Sequence, residues 1–122
     1  MTACTIRVDQ TEEDVHVLRI TGGLGLATAP ALKRELLAAA AHGGSSVVAD
    51  LACATVLDST PLGVLLAASK LLGRAGVVLT VVLDDPLLRF FRGSGLDELL
   101  HVVPAHAVDG SVRRSRAVAD VA

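Results

Sequence analysis

Two adjacent hydroxyls in the step Asp58-Ser59-Thr60-Pro61 are the residues of this chain best placed to do chemistry. The apolar stretch Ala49 to Leu57 precedes them and Leu62-Gly63-Val64-Leu65-Leu66 follows, so the step reads as the point where a strand ends and a helix begins. A helix start leaves backbone N–H groups without partners. Asp, Ser and Thr are favoured there as acceptors, and Pro suits the first turn because it has no N–H to lose. These residue types fit a well-capped helix, and by themselves they leave open whether either hydroxyl does more. Nucleophilic catalysis has less support: a serine nucleophile needs a base and an oxyanion arrangement, and no G-x-S-x-G elbow surrounds Ser59. Asp58 beside Ser59 is not a triad.

The other reactive residue types are dispersed. Gly22-Gly23-Leu24-Gly25 invites a phosphate-loop reading, but it matches neither G-x-G-x-x-G nor G-x-x-x-x-G-K-[ST] and reads better as a strand-to-helix turn. His16, His42, His101 and His106 form no i, i+4 metal pair, and Cys4 and Cys53 lack C-x-x-C spacing. No metal and no cofactor are expected. Asp50 could imitate the phosphorylated Asp of a receiver domain, yet the acidic pair and the late Lys that such a site needs are missing.

The elements that must position Ser59 follow from local signals. Thr5 to Asp9 and Val15 to Thr21 read as two strands joined through Gln10 to Asp14. Thr28 precedes a helix from Ala29 to about Ala41, with Pro30 in its first turn, Leu32 and Leu36 on one face and Gly43 as its stop. Ser46 to Leu51 is a continuous apolar strand, and the helix starting at Ser59 or Thr60 ends by Gly73. A third core strand covers Val77 to Leu83; Asp84-Asp85-Pro86 then opens a helix through about Arg92, closed by Gly93-Ser94-Gly95. A turn at Leu96 to Leu100 leads to a short strand at His101 to Val103. Val108 to Ala122 is read as a final helix starting near Asp109, frayed at its end.

The order β-β-α-β-α-β-α-β-α predicts an α/β domain with one mixed sheet, mostly parallel in its core, and helices mainly on one face. The runs at Val47-Val48 and Val77 to Val82 are predicted to be neighbouring parallel strands buried on both faces. At 122 residues the chain, 1-122, suits one domain. Apolar residues make up 52%, but the aromatic residues are Phe90 and Phe91 alone, so a Val-rich sheet under Leu/Ala helices must form the core. Without aromatic platforms, and with a net charge of −2, nucleic acid is not expected as a partner. No apolar run reaches the ~18 to 20 residues of a membrane span, and no segment resembles a signal peptide. No membrane partner and a cytoplasmic location are expected.

Asp50-Leu51, then Asp58-Ser59-Thr60 followed by Leu62-Gly63-Val64-Leu65, resembles the pattern D-L-x-x-[apolar]-x-[apolar]-D-S-[ST]-G-[apolar]-G-[apolar]-L of the STAS domain of bacterial anti-sigma factor antagonists. The Thr21-Gly22 turn, the stretch Leu26-Ala27-Thr28-Ala29-Pro30 and Ser94-Gly95-Leu96 extend the resemblance over nearly the whole chain. Pro61 stands where that pattern has Gly, and Gly22-Gly23-Leu24-Gly25 stands where the family has G-E-[LI]-D.

The resemblance implies a binding module and not an enzyme. An unphosphorylated antagonist of this family binds an anti-sigma factor that is itself a serine kinase and so frees the sigma factor. Phosphorylation ends the binding, and a serine phosphatase restores it. The family's phosphoserine maps onto Ser59, with Thr60 as the alternative, and the implied partner surface comprises Leu24, Leu26, Asp58, Ser59, Thr60, Pro61, Leu62 and Gly63. The alternative within the same fold is a scaffold or constitutive binder whose Ser59 is only a helix cap. The two readings differ on one point: a switch serine needs a hydroxyl exposed to solvent at the helix start.

Overall fold

Alternating apolar residues pair the first two segments into an antiparallel ribbon, and helical crossovers lay the later strands parallel beside it. The computed structural model describes residues 4–10, 15–42 and 44–107, together with the backbone of 116–121. Strands β1 (Cys4–Gln10) and β2 (Val15–Leu24) are followed by helix α1 (Ala29–Ala41), β3 (Ser46–Val56), α2 (Thr60–Arg74), β4 (Val78–Leu83), α3 (Asp85–Ser94), β5 (His101–Pro104) and β6 (Arg116–Val121). The sheet runs β5-β4-β3-β2-β1-β6. Pairing is parallel from β2 through β5 and antiparallel for β1 with β2 and with β6.

Each helix forms where its spacing allows an apolar stripe. Ala29, Leu32, Leu36 and Ala39 are buried along α1, and Pro61, Leu65, Ala68 and Leu72 along α2. In α3, Asp84 caps the start by accepting the Leu87 N–H at 3.0 Å, and Gly95, at φ 79°, closes the end in a left-handed conformation. These stripes cover one face of the sheet, where Ile6, Leu18, Ile20, Ala49, Leu51, Val81 and Leu83 form the main core with Phe91. On the opposite face Val17, Val48 and Val82 form a smaller buried cluster. Val47-Val48 and the β4 run are thus adjacent parallel strands inside the sheet, each contributing to both clusters.

Strand β3 runs five residues beyond the Ser46 to Leu51 segment expected from continuity, because it contains a bulge. Arg19 lies opposite Asp50 but Thr21 lies opposite Cys53, so β3 takes three residues where β2 takes two. The extra residue inverts the alternation: Val47, Ala49 and Leu51 point into the main core before it, and Ala54 after it. The Asp50 carboxylate accepts the Ala52 N–H at 3.0 Å within the bulge.

The final element is a correction. Residues 116–121 are not helical but form β6, antiparallel to the outer edge of β1, with Val121 opposite Ile6 and Ala119 opposite Val8. The remainder of the helix expected over 108–122 lies outside the described residues, as do the turn expected within 11–14 and the stop at 43. The physical reason is tertiary. A weakly periodic segment has little intrinsic preference, and the unpaired N–H and C=O groups along the edge of β1 offer it a ladder that a lone helix cannot match.

Candidate partner-binding and phosphorylation site

At the C-terminal ends of β2 and β3 two connections lie side by side: Gly25 to Thr28, leading into α1, and Leu57 to Ser59, leading into α2. The Leu57 N–H donates to the Leu24 carbonyl at 2.9 Å, which continues the strand pairing to the last residue. Asp58 then joins the two connections. One carboxylate oxygen accepts the Leu26 N–H at 3.0 Å, across 32 residues of chain, and the other accepts the Thr60 N–H at 2.9 Å. These bonds favour the ionised form, so the Asp58 carboxyl is held below the ordinary Asp value of 3.8, chiefly by the Leu26 N–H and next by Thr60.

Gly25 makes this bridge geometrically feasible. A Cβ at that position would stand 2.8 Å from Asp58 Oδ2 and 3.3 Å from Leu57 Cβ. Gly25→Ala is therefore expected to displace the Asp58 carboxylate and break its bond to the Leu26 N–H, seen as faster amide exchange at Leu26 with the sheet amides unchanged. Unchanged protection at Leu26 would refute the bridge.

A group whose folded pKa is depressed contributes stability above its unfolded pKa and loses it as pH falls through the folded value. Asp58→Asn removes that titration. Thermal melts stepped from about pH 5 to about pH 2.5 should show the parent's advantage over Asp58→Asn present above the ordinary Asp value and vanishing below it. A difference that does not change with pH would count against the bridge.

The bridge also decides what Ser59 does. Ser59 is the N-cap residue of α2, yet its side chain makes no capping hydrogen bond. Its carbonyl accepts the Leu62 and Gly63 N–H groups at 3.1 and 3.3 Å, while the orphan Thr60 N–H is already satisfied by Asp58. The Thr60 hydroxyl also turns to Asp58 and is half-buried. Of the two hydroxyls, Ser59 is the exposed one, and among the described residues its hydroxyl has no hydrogen-bond partner.

Around Ser59 the structure brings together most of the residues expected there. Asp58, Gly63 and Leu26 are exposed, Leu26 at 70%, and Leu62 is half-buried. Pro61 is a correction: it is buried on the packed face of α2, so its ring is not part of the exposed surface. Leu24 requires a correction: at 0% exposure it belongs to the main core and its side chain cannot form part of a docking surface. It is the last residue of β2, opposite Val56, and the strand alternation sends it under the helices, with Leu26 left outside in the turn.

Two surface residues were not singled out from the sequence. Leu57 is 60% exposed and Phe90 52%. With Val56, Asp58, Ser59, Leu62 and Leu87 they line a shallow cleft of about 270 Å³. The helical spacing of Leu88 and Phe91, the buried residues of α3, was the available signal, because it turns Phe90 outward.

A mixed sheet, parallel from β2 through β5 and with its helices packed against one face, is the arrangement expected for the resembled family. The family model described as "Mlab, STAS domain" matches residues 6–103. The chain belongs to the STAS domain family. An anti-sigma-B factor antagonist of Staphylococcus epidermidis is 29% identical to this STAS domain over 93 residues, spanning 75% of this chain and 86% of that relative. The crystal structure of an anti-sigma factor antagonist from Mycobacterium paratuberculosis superposes with a TM-score of 0.76 at 27% identity, covering 93% of this chain and 94% of the other. The anti-sigma factor antagonist SpoIIAA in its unphosphorylated form superposes with a TM-score of 0.65 at 17% identity, over 80% and 87% of the two chains, a likeness of fold alone.

Proposed function

We propose that this STAS domain is an anti-sigma factor antagonist acting in the cytoplasm. It binds an anti-sigma factor serine kinase, so releasing the sigma factor, and is switched off when that kinase phosphorylates Ser59; a serine phosphatase resets it. The domain itself catalyses nothing. The observation that carries this reading is the division of labour at the start of α2: Asp58 satisfies the helix amide and Ser59 keeps an unengaged hydroxyl in solvent. A hydroxyl committed to capping would be a poor kinase substrate; this one is not committed. The likeness to anti-sigma factor antagonists supports the partner class.

The surroundings of Ser59 suit a switch. A phosphate adds about −1.5 to −2 charges beside the ionised Asp58, next to the apolar side chains of Leu57 and Phe90 that a partner would cover. Docking over it desolvates that charge, which is costly without a basic partner group. The folded domain tolerates the same charge, because the N-terminus of α2 favours an anion.

Incubation with the cognate kinase and ATP, followed by mass-spectrometric location of the phosphate, tests the reading: phosphate is expected on Ser59 and on no other residue. An unmodified chain that still binds the kinase would replace it with the constitutive-binder reading.

The cleft adds a residue to the surface. Phe90→Ala is expected to leave stability within about 0.5 kcal/mol, since the ring is half in solvent, and to weaken partner binding about tenfold. Unchanged affinity would confine the interface to the turns at Leu26 and Ser59.

A further inference from the structure

At the end of the sheet opposite Ser59, β2 begins and α1 finishes. There His16 and His42, far apart in sequence, meet with their ring centroids 5.6 Å apart and their planes tilted by 47°. His16 is 5% exposed and lies opposite Gln10 on β1 and Val47 on β3, on the helix-covered face. Its Nε2 is buried and, among the described residues, has no hydrogen-bond partner. Buried polar atoms are nearly always satisfied, so an orphaned imidazole nitrogen needs a ligand of some kind. His42 caps the C-terminus of α1 in solvent, with its Nδ1 2.7 Å from the Ala38 carbonyl. A carbonyl can only accept, so Nδ1 is the donor in this contact, and in the neutral ring Nε2 is the nitrogen with the lone pair. A backbone carbonyl orienting the second nitrogen in this way is what metal-ligating histidines use.

We propose that His16 and His42 form a two-imidazole site for a divalent transition-metal ion of the zinc type. With metal–nitrogen bonds of about 2.0–2.1 Å, two imidazoles on one tetrahedral ion have their centroids roughly 5–6 Å apart, which the observed separation matches. The partial negative charge at the C-terminus of α1 favours a cation there, and the last turn of that helix holds no basic residue to compete. Imidazole donors suit zinc, copper and nickel and not magnesium or calcium. The ion would tie the first residues of β2 to the last of α1 and leave the Asp58 bridge untouched. Its effect is therefore on stability, and the proposal stands whether or not Ser59 is phosphorylated.

The test is a titration with zinc chloride of protein carrying no polyhistidine tag, followed by calorimetry and by NMR of the imidazole resonances. One ion per chain is expected, with shifts at His16 and His42 and none at His101 or His106. His42→Ala, an exposed position, should lower the affinity at least tenfold and abolish the zinc-induced rise in melting temperature; His42→Gln should do the same. His106→Ala should change nothing, although His106 has a carboxylate neighbour of its own in Asp85 at 3.8 Å. Equal binding by the parent and both His42 variants, shifts confined to other histidines, or no binding at millimolar zinc would each overturn the site.

Discussion

Ser59→Asp is expected to bind an anti-sigma factor kinase about a hundredfold more weakly than the parent, while Ser59→Ala binds as the parent does and accepts no phosphate. The first effect corresponds to about 2.7 kcal/mol, a modest figure for desolvating one unpaired charge at a close contact. The variant's fold should be unharmed. Ser59 makes no capping hydrogen bond that the substitution would break, and a carboxylate at the N-terminus of α2 gains about 0.3 to 1 kcal/mol from the helix dipole, offset in part by its neighbour Asp58. Affinity from calorimetry and melting temperature from the same samples separate the two effects. Loss of binding with an unchanged melting temperature places the penalty at the interface. Parent-like affinity of Ser59→Asp would remove Ser59 from the switch, and modification at Thr60 alone would move the switch there.

Leu24→Ala and Leu26→Ala, two residues apart, should fail in opposite ways. Leu24 is fully buried, so truncation leaves a cavity under α1 and α2 and costs about 2–5 kcal/mol, a fall in melting temperature on the order of 10 °C. Leu26 is 70% exposed, and its truncation should change stability by no more than about 0.5 kcal/mol while weakening partner binding about tenfold. Thermal melts and affinities of both variants check the pair. A destabilised Leu26→Ala with normal binding would show that the turn is structural. A stable Leu24→Ala with weak binding would return that residue to the surface.

The sequence by itself determined the elements whose signals lie within a few residues of one another. Prolines near the starts of α1, α2 and α3, Asp84 as a cap and the Val-rich runs of β3 and β4 were legible because caps, fixed φ angles and apolar periodicity are local physics. The Asp58-Ser59-Thr60 step was legible for the same reason, as a helix start and as a family motif.

What lay beyond reach was each feature whose partner is distant in the chain. Local rules assign a capping role to Ser59 and Thr60 alike. Asp58 takes the Thr60 N–H itself, and its second bond, to Leu26 across 32 residues, ties that carboxylate to the neighbouring turn while Ser59 makes no capping bond. Leu24 and Leu26 are both leucines in a glycine-rich turn, and only the strand pairing of Leu24 with Val56 sends one inward and leaves the other in solvent. The bulge after Asp50 follows from register between β2 and β3, and β6 exists because β1 has an edge to pair. His16 and His42 met for the same reason, the return of α1 across the start of β2. Propensity and periodicity act over one or two turns of chain, whereas a hydrogen bond or a packed ring is indifferent to sequence separation once the fold has closed the loop between them.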